Sequence, residues 1–241
     1  MTTFDQIVVK CPNCSSLMMD YELMSYTTHG SAEYFSDGKS DSLPSMNNTK
    51  GIGICSECAK PFWRGDAKVK EDQIDREGME DLPNVNELYT LISAFDEEGK
   101  EKKIHFYTKL IENDFAKTEW QEYHLREQLW WSINDLIRHL AGWSVARNPR
   151  QFWAIMKHRK VCKKLFKKYQ PLLEEILSRM IFLYIKSADV DLLYLANMYR
   201  EKGDFNKALD ILSKVEGKRG AGFKKIQRKI QRHNREVFRL S

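Results

Sequence analysis

Two hydrophobic periods divide the chain. Up to residue 66 the apolar positions come in short β-prone clusters: "FDQIVV", then "LMSYTTHGSAEYFSDG" around a glycine turn, then "GIGIC" and "PFW". These predict a small β module over residues 1–66. Within it, "SDGKSDSLPSMNNTKGIG" is rich in Ser, Asn, Asp and Gly and predicts a mobile loop. Residues 67–84 form an acidic connector, with seven acids against one arginine between Glu71 and Glu87.

From residue 85 to 241 the period becomes helical. "NVNELYTLISAF" and "KKIHFYTKLIENDF" are short apolar-periodic segments. Thr118, with Gln121 three residues on, reads as a capping box opening a longer helix, where Leu125, Leu129, Ile133, Leu136, Ile137 and Leu140 share a face. "GWSVARNP" ends it, and Pro149 suits the first position of the next helix. Further helices follow to the end, broken near Pro171, Ser187 and Gly217–Gly222. The expected fold class is α+β, mainly α.

Four of the five cysteines change this picture. Cys11, Cys14, Cys55 and Cys58 form C-x2-C…C-x2-C. Two intervening residues let both sulfurs of a tight knuckle face one ion, and two knuckles complete a closed tetrathiolate. The arrangement resembles the zinc-ribbon family, in which two knuckles on β-hairpins sandwich a structural zinc. The resemblance departs in two ways. The gap between the pairs exceeds the usual spacing of about 15–20 residues, and Ser15 and Ala59 stand where a glycine often follows each knuckle. Iron accepts the same ligand set, and a redox dithiol pair is the non-metal alternative. Structural Zn2+ is the expected cofactor. His29 in the insert is read as a surface residue.

"DVDLLYLANMYREKGDFNKALDILSKV" (189–215) predicts two antiparallel helices turning at Gly203. Ala196 and Ala208 allow close approach, and Leu192, Leu195, Tyr199, Leu212 and Val215 fill the seam. The stretch resembles one tetratricopeptide repeat, with Leu192 in place of the preferred tryptophan and no closing proline. The resemblance implies neighbouring divergent helices, an antiparallel array and a groove that holds a protein partner. Tyr199 belongs to that expected groove.

"LWWSINDLIRH" puts Trp131, Asn134, Asp135 and Arg138 on one helical stripe. The stripe is a candidate partner-recognition patch, with an interhelical ridge in which Asp135 pairs Arg138 as the plainer reading. Net charge is only +5, but Lys157–Lys168 carries seven bases and no acid. In the terminal helix, Phe223, Ile226, Ile230, Val237 and Phe238 form an apolar stripe, and Lys224, Lys225, Arg228, Lys229 and Arg232 surround it. That helix is either a solvated cap or a phosphate-backbone contact. Cys162, among lysines, is a packing residue or a reactive thiol.

No phosphate loop, dinucleotide fingerprint, H-E-x-x-H or G-x-S-x-G occurs. "MTTFDQIVVK" lacks a basic n-region and a long apolar run, and "MIFLYI" is too short to span a bilayer. The expectation is a cytoplasmic, non-enzymatic adaptor with structural zinc and a protein partner. No membrane span is expected, and no small-molecule substrate is inferred. Nucleic-acid binding through the ribbon and the basic helices is the alternative.

Overall fold

The computed structural model describes residues 3–25, 33–41, 51–69, 82–86, 97–138, 140, 147–215 and 220–240. Its contacts divide the chain into two units: Met1–Glu33 with Ser40–Ser93, and Tyr34–Lys39 with Ala94–Ser241. Antiparallel strands precede seven helices among the described residues, so the fold is α+β and mainly α.

In the first unit, β1 (Thr3–Lys10) pairs antiparallel with β2 (Leu17–Ser25), placing Val8 opposite Met19 and Val9 opposite Met18. Next along the chain come the short strands β3 (Glu33–Tyr34), whose Tyr34 belongs to the second unit, and β4 (Ser40–Asp41). A further hairpin joins β5 (Ile52–Ile54) to β6 (Pro61–Trp63). Each cysteine pair therefore forms the turn of a hairpin, the first between β1 and β2, the second between β5 and β6. Among the described residues, Val9, Cys11, Met18, Cys55, Phe62, Ala67 and Val85 bury together, with Ile7 and Cys58 against them.

Both described ends of the expected connector belong to this unit. Lys10 N donates to Ala67 O (2.7 Å) and Val69 N to Val8 O (3.0 Å). Met19 N donates to Pro83 O (2.9 Å), and Val85 N returns to Met19 O (2.8 Å). Residues 67–69 and 82–86 therefore join this unit through backbone pairing. Most of the acidic run and most of "NVNELYTLISAF" lie outside the described residues.

The second unit contains α1 (Glu97–Glu112), α2 (Glu119–Arg138), α3 (Pro149–Lys168), α4 (Gln170–Ile185), α5 (Leu192–Lys202), α6 (Phe205–Ser213) and α7 (Ala221–Gln231). Helix α2 packs against α1, α3 and α4, and α4, α5, α6 and α7 pack in succession. Leu125, Leu129, Ile133 and Leu136 are fully buried along α2, matching the apolar period. The expected caps form: Gln121 N donates to Thr118 Oγ1 at 3.1 Å, and Asn148 accepts from Gln151 N with Pro149 beside it. Gly203 ends α5 at φ +99°, and Asp191 and Asp204 cap α5 and α6.

One element departs from expectation. Ser36–Lys39 opens the stretch expected to be mobile, yet Phe35, Ser36 and Asp37 are buried in the helical unit. Gly38 turns this tip at φ +79°, and a Cβ there would lie 2.8 Å from Tyr194 Cε2. Glycine is required on both counts. Composition points to a solvated loop, but burial of one carboxylate among cations outweighs it. The remainder of that stretch, 42–50, is outside the described residues.

Candidate metal centre

The two knuckles share one backbone pattern. In the first, Ser15 N donates to Cys11 O (2.9 Å) and Cys11 N to Ser16 O (2.9 Å). In the second, Ala59 N donates to Cys55 O (3.0 Å) and Cys55 N to Lys60 O (3.0 Å). Closing these turns takes Ser15 to φ 63° and Ala59 to φ 56°. The positions lacking the customary glycine therefore carry the left-handed conformation that glycine would adopt freely. Ala59 is exposed, so nothing packed is lost by its replacement. Ala59→Gly is expected to stabilise the first unit by about 0.5–1 kcal/mol. Amide exchange at Val9 and Ile54 measures this, and an unchanged or faster-exchanging unit would contradict it.

The hairpins bring the four sulfurs into one cluster, all within 4.8 Å of one another. Cys11 Sγ lies 3.8 Å from Cys58 Sγ, and Cys14 Sγ 3.6 Å from Cys55 Sγ. A tetrahedron with arms of about 2.3 Å has edges of about 3.8 Å, so these separations fit a single tetrathiolate-bound ion. A disulfide needs sulfurs at about 2.05 Å, and all four cysteines are free.

Donors around the cluster favour the thiolate form. Asn13 N donates to Cys11 Sγ (3.4 Å) and Cys58 N to Cys55 Sγ (3.5 Å). The Ser16 hydroxyl lies 3.0 Å from Cys14 Sγ and 3.4 Å from Cys55 Sγ. Its bond to Cys14 is the main cause lowering that thiol. At Cys55 burial opposes ionisation, but the Cys58 N–H, the Ser16 hydroxyl and the Glu57 N–H outweigh it and bring the thiol to about 6. Cys58 moves the other way, to about 12: the Lys60 N–H lowers it, but desolvation and the other sulfurs prevail. Clustered thiols shift in opposite directions because like charges disfavour one another.

No protein-family model matches the chain, and no curated protein or solved structure matches it. The site must be read from its own geometry. Cys11 and Cys55 are buried, Cys58 is half-buried and Cys14 is exposed. Four sulfurs fill a tetrahedral shell, leaving no position for water or substrate.

The stripe on α2 lies inside the helical unit. Trp131 Nε1 donates to Asp37 O (2.9 Å), and Asn134 Nδ2 donates to Asp37 Oδ2 (2.8 Å) and Glu201 Oε2 (2.9 Å). Arg138 clamps both oxygens of Asp37, with Nη1 at 2.8 Å from Oδ1. Its Nε donates to Asp135 Oδ1 (2.8 Å), and Lys39 Nζ meets Asp135 at 2.8 Å. The stripe is thus a ridge with Asp135 pairing Arg138, rather than an outward patch. Burial would raise Asp135, but Lys39, Arg138 and Lys103 hold it well below the usual carboxylate range.

Asp37 and Glu201 are the residues that sequence reasoning missed. Glu201 is fully buried and accepts from Trp130 Nε1 (2.8 Å) and Arg200 Nη2 (2.7 Å). Arg200 also donates to Asn234 O (2.6 Å) and Glu236 O (3.0 Å). Tyr199 is half-buried on α5, and its carbonyl accepts from Gly203 N and Asp204 N, which closes the α5–α6 turn.

On α7, Phe223, Ile226 and Ile230 are buried, while Lys224, Lys225, Arg228 and Arg232 are exposed. Lys225 donates to Leu240 O (2.7 Å), and Lys229 is half-buried with Nζ 5.3 Å from the Phe238 ring centre. Cys162 is buried, as expected of a packing residue, and desolvation raises its thiol. His29 lies outside the described residues. Among the described residues, no helix is long and apolar enough to cross a membrane.

Proposed function

We propose that the chain is a non-catalytic interaction protein whose first unit is stapled by a structural zinc and whose helical unit holds a protein partner. The sulfur spacing carries this reading, because a closed four-thiolate shell suits zinc as a staple and not as a Lewis acid. A four-cysteine set on two hairpin turns supports the zinc-ribbon resemblance. The α5–α6 hairpin, turned at Gly203 and followed by α7, supports a tetratricopeptide-like array.

The surface that suits a partner is not the α2 stripe but the junction of α2's first turns with the end of α4. Trp120 is 58% exposed, Phe182 51% and Ile185 52%. Beside them Trp120, Tyr123, Leu183 and Tyr184 line a cavity of about 400 Å³ rimmed by Glu119 and Lys186. Aromatic floors with charged rims are the usual anchors of peptide recognition.

A second reading, nucleic-acid binding, is favoured by α3. Trp153 is 70% exposed beside a cavity of about 660 Å³ lined by Met156, Lys157, Arg159, Lys160 and Lys163. An exposed indole among cations suits stacking of a base with phosphate contacts.

One experiment separates the two: capture of ligands from native cytosol by the full chain, at low and moderate salt, with and without nuclease. A discrete protein that survives nuclease and binds about 30-fold more weakly to Trp120→Ala supports the first reading. Nucleic acid that dissociates steeply with salt, and is lost from Trp153→Ala, overturns it in favour of the second.

A further inference from the structure

A second group of metal-ligating side chains lies apart from the four thiols, between α1 and α3. Glu97 stands in the first turn of α1, and His158 and Cys162 stand one turn apart on α3. One donor atom from each lies within 4.8 Å of the other two. We infer that Glu97, His158 and Cys162 form a second, three-ligand site for a borderline divalent ion such as Zn2+ or Co2+, independent of the structural zinc.

The donor set selects the metal class. A thiolate beside an imidazole and a carboxylate suits zinc or cobalt and disfavours magnesium or calcium, which take oxygen. Residues four apart on a helix share one face, so His158 and Cys162 point at the same place without any loop rearrangement. Cys162 Sγ lies 3.6 Å from His158 Nε2 and 3.9 Å from Nδ1. For tetrahedral arms of about 2.3 Å to sulfur and 2.0 Å to nitrogen, the sulfur–nitrogen edge is about 3.5 Å, so Nδ1, the nitrogen that also faces Glu97, has about 0.4 Å to close.

The third edge is shorter. His158 Nδ1 and Glu97 Oε1 are hydrogen-bonded at 2.7 Å, whereas an ion with arms of about 2.0 Å would set them about 3.3 Å apart. An entering ion takes the place of that proton, and the side chains have room to move, with His158 42% and Glu97 37% exposed. Cys162 lies beneath them, wholly buried, so the ion enters from the Glu97–His158 side. Three protein ligands leave one position open to water or to a donor from another molecule, in contrast to the closed four-thiol shell. A bound ion would tie the first turn of α1 to the middle of α3.

Cobalt titration of the reduced full chain tests this, read by the thiolate-to-cobalt charge-transfer band and by cobalt content. The wild type is expected to bind one equivalent at a single-thiolate site beyond anything held by the four cysteines. His158→Gln should lose that equivalent, and Cys162→Ser should lose its charge-transfer signal. His158 is half-exposed, so its substitution leaves the core intact, and unchanged helical circular dichroism verifies this. The melting temperature of the wild type should also rise with cobalt, and that of His158→Gln should not. A four-thiolate cobalt signal common to all variants would report only on the first site. No single-thiolate equivalent in the wild type, or an equal one in His158→Gln, overturns the proposal and leaves the trio as an interhelical hydrogen-bonded contact.

Discussion

Replacing Cys11 and Cys55 together with serine is expected to remove one zinc per chain and to unfold the β unit. Two members of the buried cluster described for it are the cysteines themselves, Cys11 and Cys55. Both are fully buried, and binding of a structural zinc contributes about 10–16 kcal/mol in small zinc modules. One cysteine from each knuckle is lost, so neither hairpin can hold the ion with its remaining sulfur. Amide protection at Val8, Val9 and Ile54 should vanish, and metal analysis should fall by one equivalent. Helical circular dichroism should persist, because Leu125, Leu129, Ile133 and Leu173 are buried among the helices. Native protection in the variant, or no zinc in freshly purified reduced wild-type protein, would refute the staple.

The second large effect is expected inside the helical unit. Asp37→Ala should destabilise that unit by about 3–5 kcal/mol, the usual cost of leaving one member of a buried ion pair alone. The side chains of Asp37 and Arg138 are both 0% exposed. Without Asp37 the guanidinium keeps only the partly exposed Asp135, and Asn134 loses an acceptor. Arg138→Met alone should be comparably damaging, by stranding the carboxylate. Joining the two changes should cost much less than their sum, since no uncompensated charge then remains. Urea denaturation of the four proteins gives the coupling directly, and additive losses would show that the pair does not act as one unit. In the wider cluster Asp37, Asp135 and Glu201 face Lys39, Arg138 and Arg200, with Lys103 also acting on Asp135.

What can be read in advance follows from range along the chain. C-x2-C spacing is local, so the four-cysteine cluster on two hairpin turns is evident from the sequence. Helical period and caps are local too, which is why α2, α3 and the α5–α6 turn lie where expected. The α2 stripe is correct as a stripe, but periodicity gives spacing and not direction. Trp131 and Arg138 face inward because of Asp37, about a hundred residues earlier in a segment whose composition suggests solvent. Likewise "KHRKVC" gives no hint that Glu97 waits beside His158, 61 residues away. Side-chain chemistry assembled across such distances leaves no periodic or compositional trace.

The placement of Tyr34–Lys39 with the helices has a practical consequence for dissecting the protein. A fragment beginning at residue 94 contains every described helix, yet it omits the carboxylate that answers Arg138, the serine that meets Arg200, and the carbonyl that Trp131 Nε1 reaches. The helical half therefore has no single cut point. Its missing piece lies inside the other half's sequence, and a truncated helical clone needs that six-residue tip grafted back or supplied as a peptide.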